Sequence, residues 1–82
     1  MKSVQVLSRV RVLVNIGQIE KLESTIINFD IMYENGLINK KNIPIKILGN
    51  GEITKGIEIT ANAFSQSAKN KIEKLGGKVI NQ

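Results

Sequence analysis

Four lysines crowd one short stretch of this chain, Lys69, Lys71, Lys74 and Lys78, and the chemistry they offer is the binding of anions. On a helix of 3.6 residues per turn Lys71 and Lys74 are neighbours, whereas Lys69 falls on the far side of an apolar stripe made by Ala68, Ile72 and Leu75. Ammonium groups flanking a buried face can neutralise phosphates, which makes binding salt-sensitive, with a logarithmic slope of about −0.9 per duplex phosphate contact. A solvated helix face accounts for any one of them equally well. Catalysis fails on inventory. The sequence holds no histidine and no cysteine, so the commonest general base and metal ligand, thiolate sites and disulfides are all ruled out. Ser65 and Ser67 have no base to activate them. Asp30 and Glu34 can share a helical face, yet two carboxylates without a base, a metal ligand or a pocket are ordinary surface charges. Gly49-Asn50-Gly51 lacks the third glycine of a dinucleotide fingerprint and the Gly-Lys-Ser/Thr ending of a phosphate loop. The expectation is a protein that is not an enzyme and takes no cofactor, metal or small-molecule substrate.

The lysines need elements to hold them. Ile45 and Ile47, then Ile53, Ile57 and Ile59, alternate with Lys46, Thr54 and Glu58 at the period of strands, and β-branched residues suit a pleated surface. Between them Asn50-Gly51 predicts a hairpin turn, because both residues tolerate positive φ. Ser65, after apolar Phe64, is placed as an N-cap, so a helix is expected from Gln66. Ala68, Ile72 and Leu75 give it one apolar face, Gly76 or Gly77 ends it, and Val79 and Ile80 form a short closing strand.

Upstream, Val10, Val12 and Val14 alternate with Arg9, Arg11 and Leu13, so a strand buries the valines and turns both arginines outward, either to RNA or to solvent. Asn15 with Gln18 three residues on is a capping-box arrangement for a short helix whose Ile19 and Leu22 point inward, leaving Glu20, Lys21 and Glu23 on the wet side. Asn28 or Asp30 caps a turn or two of helix carrying Ile31, Met32 and Tyr33, and Gly36 ends it before Leu37 and Ile38 return to the core. Lys40, Lys41 and Asn42 make a polar connector, a candidate RNA contact and equally an exposed loop, before Pro44 holds Ile43 extended.

Composition bounds all of this. With 82 residues there is room for one domain, expected over 1–82 with 9–80 globular and 1–8 a linker remnant. A chain so short buries only about 60% of its unfolded surface. Twelve Lys and Arg against seven Asp and Glu give a net charge of +5, which favours a polyanion such as RNA or an acidic membrane. No apolar run is long enough to cross a bilayer, and Lys2, Gln5, Arg9 and Arg11 interrupt the first residues, unlike a secretory signal.

One ordered series carries more than its parts: Lys46-Ile47-Leu48-Gly49-Asn50-Gly51, then Phe64-Ser65 followed by Ser67-Ala68-Lys69, then Gly76-Gly77. Val14-Asn15, Ile19, Leu22 and Glu34-Asn35-Gly36-Leu37-Ile38 continue it upstream. Over roughly residues 10 to 80 the series resembles the carboxy-terminal domain of large-subunit ribosomal protein fifteen of bacteria and organelles. The resemblance implies a small α/β domain of short strands and helices in β-β-α units. It implies a structural constituent of the large subunit, in the cytoplasmic ribosome of a bacterium or in an organellar ribosome, with ribosomal RNA and neighbouring ribosomal proteins as partners and no membrane.

Within that motif Ser65, Ser67 and Lys69 lie near a helix N-terminus whose free N–H groups suit a phosphate. With Lys71, Lys74, Arg9, Arg11, Lys40, Lys41 and Lys55 they make up the candidate RNA-binding set. Members of the family also carry a Gly-, Lys- and Arg-rich amino-terminal half that threads among rRNA helices, and the present sequence starts just before the globular part. Weak anchoring of this piece by itself is therefore expected. The competing reading is a basic protein-interaction module that docks on a partner through an exposed edge strand.

Overall fold

A computed structural model describes residues 12–41 and 43–82. Val10, Arg9, Arg11 and Asn42 lie outside the described residues. In chain order the elements are β1 (Val12–Asn15), α1 (Ile16–Glu20), β2 (Ile26–Ile27), α2 (Phe29–Glu34), β3 (Ile45–Leu48), β4 (Glu58–Ala61), β5 (Ala63–Phe64), α3 (Gln66–Lys74) and β6 (Lys78–Asn81). Two three-stranded sheets result, β1-β3-β5 and β2-β4-β6, and every pairing is parallel. The expected α/β class is the observed one.

The local signals act where the residue types predict. Gln18 Oε1 accepts the Asn15 N–H at 2.9 Å, closing the start of α1. Of the two candidate caps for α2, Asn28 is the one used, its Oδ1 accepting the Ile31 N–H at 2.9 Å, while Asp30 sits in the first turn. Ser65 Oγ accepts the Ala68 N–H at 3.2 Å and opens α3 at Gln66. Gly76, at φ 81°, is the glycine that takes up the left-handed conformation behind α3.

The hairpin is not formed. β3 pairs with β1 and β5 while β4 belongs to the other sheet, and Ile53 and Ile57 are buried without being in a strand. Local alternation measures burial on one side, which a packed loop satisfies as well as a strand does. The chain changes sheet at Asn62, a single residue between β4 and β5. Its N–H donates to the Ile45 carbonyl at 3.0 Å and its Oδ1 accepts the Ile45 N–H at 2.8 Å, so this one residue satisfies both backbone groups of Ile45.

The core lies between the inner faces of the two sheets and the helices. It consists of Val14, Ile16, Ile19, Ile27, Met32, Ile38, Ile45, Ile47, Ile53, Ile57, Ile59, Ala61, Ala68 and Ile72, with no buried polar residue among those described. Two inward assignments change. Leu75 is 40% exposed, because the helix ends at Lys74 and the chain turns away before the apolar stripe completes another step. Glu20 leaves the wet side of α1 to bond Thr54, whose N–H reaches its carboxylate at 3.1 Å and whose hydroxyl also donates to it.

Candidate nucleic-acid interface

The carboxyl ends of β1, β3 and β5 bring together the start of α1, the Gly49–Gly51 loop and the start of α3. The loop is held from three sides. On one side Asn50 O accepts the Gly17 N–H at 3.0 Å, and the Asn50 amide donates to Asn15 Oδ1 at 3.1 Å. On the second, Gly49 lies so close to the first turn of α3 that a Cβ there would meet Ser67 Oγ and stand 2.8 Å from the Ala68 nitrogen. On the third, the Lys71 ammonium donates to Gly49 O at 2.9 Å and to Gly51 O at 3.0 Å.

Gly51 has φ 93°, and a Cβ on it would stand 2.7 Å from Gly17 Cα and 2.9 Å from its nitrogen. Glycine is required there twice over, by the backbone conformation and by the approach of α1. The positive φ expected at this position is present, though it serves the packing of a loop onto a helix rather than a hairpin.

The candidate residues divide by how the fold employs them. Lys71 is half-buried on the loop carbonyls, with Glu52 4.0 Å away. Lys55 donates to Leu22 O at 2.7 Å and so ties the segment after the loop back to α1. Lys41 pairs with Asp30 at 3.0 Å and lies 5.3 Å from the centre of the Tyr33 ring. The hydrogen bond to Asp30, helped by its charge, raises the Lys41 ammonium above its ordinary value. In the same way the Thr54 hydroxyl and N–H bonds hold the Glu20 carboxyl below the usual range.

Lys40, Lys69 and Lys74 are exposed and make no ion pair among the described residues. Ser65 is occupied as the cap of α3, and Ser67, exposed, lies with its Oγ 3.4 Å from Ser65 Oγ. Lys69, Lys74 and Ser67 therefore share the solvent side of α3, with Gln66, Asn70 and Glu73 between them. Arg9 and Arg11 lie outside the described residues.

Two positions of this region escape a reading by local spacing. Gly17 and Asn15 grip the loop from more than thirty residues away, and nothing in their own neighbourhood signals it. Lys46 does carry a signal, since alternation with buried Ile45 and Ile47 puts it on the outer face of the first sheet, in register with exposed Leu13. Among the described residues no group of three or more acidic side chains could hold a metal, and no helix is long and apolar enough to cross a membrane.

A short α/β core with a basic helix beside a glycine loop stapled by lysine is built to bind rather than to react. Comparison with known proteins says which class of binder this is. The family model that groups the ribosomal proteins 50S-L15 and 50S-L18e with their 60S counterpart matches residues 7–80, and the chain belongs to that family. It is similar to large ribosomal subunit protein uL15 of Acidobacterium capsulatum, 46% identical over 66 residues that cover 80% of this chain and 45% of that protein. The protein of the same name from Trichlorobacter lovleyi is 42% identical over 69 residues, covering 83% and 46%. That from Amoebophilus asiaticus is 49% identical over 59 residues, covering 72% and 38%. The chain thus spans less than half the length of these relatives.

Proposed function

We propose that this chain is a structural constituent of the large ribosomal subunit, bound to ribosomal RNA and to neighbouring ribosomal proteins, and that it catalyses nothing. The observation that carries the proposal is the family match over residues 7–80, together with relatives that are all named as proteins of that subunit. The physical support is the exposed side of α3, where Lys69 and Lys74 stand free to neutralise phosphates, with Lys40 on a separate loop. Arg9, Arg11, Lys41, Lys55, Ser65, Ser67 and Lys71 complete the proposed contact set, with Lys41, Lys55, Ser65 and Lys71 already engaged inside the fold.

Phosphate contacts position a protein without reading sequence, so selectivity for its place on the RNA comes from RNA shape and from adjoining proteins. The ribosome in question is that of a bacterium, in the cytoplasm, or of an organelle. Sedimentation of cell lysate tests the proposal: the chain should travel with large subunits and leave them as salt is raised. A protein that stays at the top of the gradient at low salt refutes it. One that co-sediments without any salt dependence points instead to edge-strand docking on a protein, for which β6, the four-residue outer strand of the second sheet, is the available edge.

A further inference from the structure

Local spacing makes Lys69, Lys71 and Lys74 equivalent phosphate ligands, but the structure separates them. Resting on the RNA-binding reading above, we propose that Lys71 is a positioning residue, which serves RNA association by holding the Gly49–Gly51 loop in shape and not by contacting phosphate.

Its ammonium has three protons, and two of them already go to carbonyl oxygens, Gly49 O at 2.9 Å and Gly51 O at 3.0 Å. Those carbonyls flank Asn50, whose own carbonyl is taken by the Gly17 N–H at 3.0 Å. Three successive carbonyls of an exposed loop are thus turned inward, two of them onto one cation. Because the peptide bonds are trans, the N–H groups of Asn50 and Glu52 point away from Lys71. The edge that the loop shows to solvent is therefore made of amide donors and the exposed Asn50, while the lysine lies behind it. A phosphate meeting this loop meets that edge. To reach the phosphate, Lys71 would have to leave both carbonyls, and two buried-side acceptors would lose their partner. Lys69 and Lys74 have no such engagement and remain free to contact phosphate.

The Gly17 amide reports the state of the loop, since it lies in the first turn of α1 and its partner is Asn50 O. The 82-residue chain carrying Lys71→Met, which keeps the length of the side chain and removes its donors, is compared with unaltered protein and with Lys69→Gln and Lys74→Gln. Amide exchange at Gly17, the thermal midpoint, and binding to fragments of large-subunit rRNA across a salt series are measured. Lys71→Met should speed Gly17 exchange at least tenfold, lower the midpoint, and weaken RNA binding by a similar factor at every salt concentration, leaving the logarithmic slope unchanged. Lys71→Arg, which retains donors for both carbonyls, should restore much of the Gly17 protection. Lys69→Gln and Lys74→Gln should each flatten the slope by about 0.7–0.9 with exchange and midpoint unchanged.

A slope lowered by the same amount in Lys71→Met, with Gly17 exchange unaffected, would make Lys71 a phosphate ligand and overturn the proposal. So would unchanged exchange and midpoint alone, which need no RNA. If the unaltered protein shows no salt-dependent binding, the RNA-binding reading itself fails and takes the functional half of this proposal with it. In that case faster exchange in Lys71→Met supports a purely structural clamp, so the two failures are told apart.

Discussion

Gly51→Ala tests the central claim about the glycine loop, that it is shaped by contact with α1 and not by a hairpin. Two costs add. An alanine at φ 93° pays about 1–2 kcal/mol for a left-handed backbone conformation. Its Cβ would also stand 2.7 Å from Gly17 Cα and 2.9 Å from Gly17 N, both main-chain atoms that cannot swing aside. The loop must retreat, which breaks the bond from Gly17 N–H to Asn50 O and leaves a helix N-terminal donor unpaired, at about 1–3 kcal/mol.

The sum, about 2–5 kcal/mol, is a large part of the roughly 4–12 kcal/mol that a chain of 82 residues can hold. At about 4–8 °C per kcal/mol for a domain of this size, the thermal midpoint should fall by at least about 8 °C. Gly36→Ala is the internal control. Gly36 has φ 77° but nothing within 4 Å of its would-be Cβ, so only the conformational cost applies. Both variants share the offsetting loss of unfolded-state freedom, which drops out of the difference. Thermal melting followed by circular dichroism gives both midpoints. If Gly51→Ala is no more destabilised than Gly36→Ala, the close approach of loop and helix is refuted.

Ile72→Ala, at a side chain with no exposed surface, should cost about 2–5 kcal/mol in denaturant unfolding, and a loss of a few tenths would place Ile72 outside the core. Glu20→Gln should be less stable than the unaltered protein at neutral pH. Because the folded carboxyl titrates below its ordinary value of 4.5, its contribution is complete above that value and disappears as pH falls through the folded one, so the two stability curves should converge in acid. A gap that stays constant down the acid range would mean that the charge on Glu20 is not used. Lys69→Gln combined with Lys74→Gln should reduce the salt slope of rRNA binding by about 1.4–1.8 without moving the thermal midpoint. An unaltered slope would make both lysines solvated bystanders and shift attention to Lys40, Arg9 and Arg11.

The features legible in the residues alone are those whose cause is local. Asn15 with Gln18, Asn28 and Ser65 start their helices because a short polar side chain reaches a free N–H three residues on. Gly76 stops α3, and Ile45, Ile47, Ala68 and Ile72 turn inward because alternation or helical period gives them one face. Net charge and the want of histidine and cysteine likewise needed no fold to be read. The ordered series from Lys46 to Gly77 pointed to the family that the match over residues 7–80 then showed.

Tertiary structure decided which strands pair, because parallel partners are joined through long connections that leave no local mark. The alternation that suggested a hairpin is shared between a strand in one sheet, a packed loop and a strand in the other. It also decided what the charges do. Lys55, Lys71 and Glu20 meet their partners 20 to 34 residues away along the chain, so residues alike in spacing and type separate into those that hold the fold and those left facing solvent. A lysine's donors go to whichever acceptor the packed chain brings within reach, and that distance is set only when distant segments close on one another.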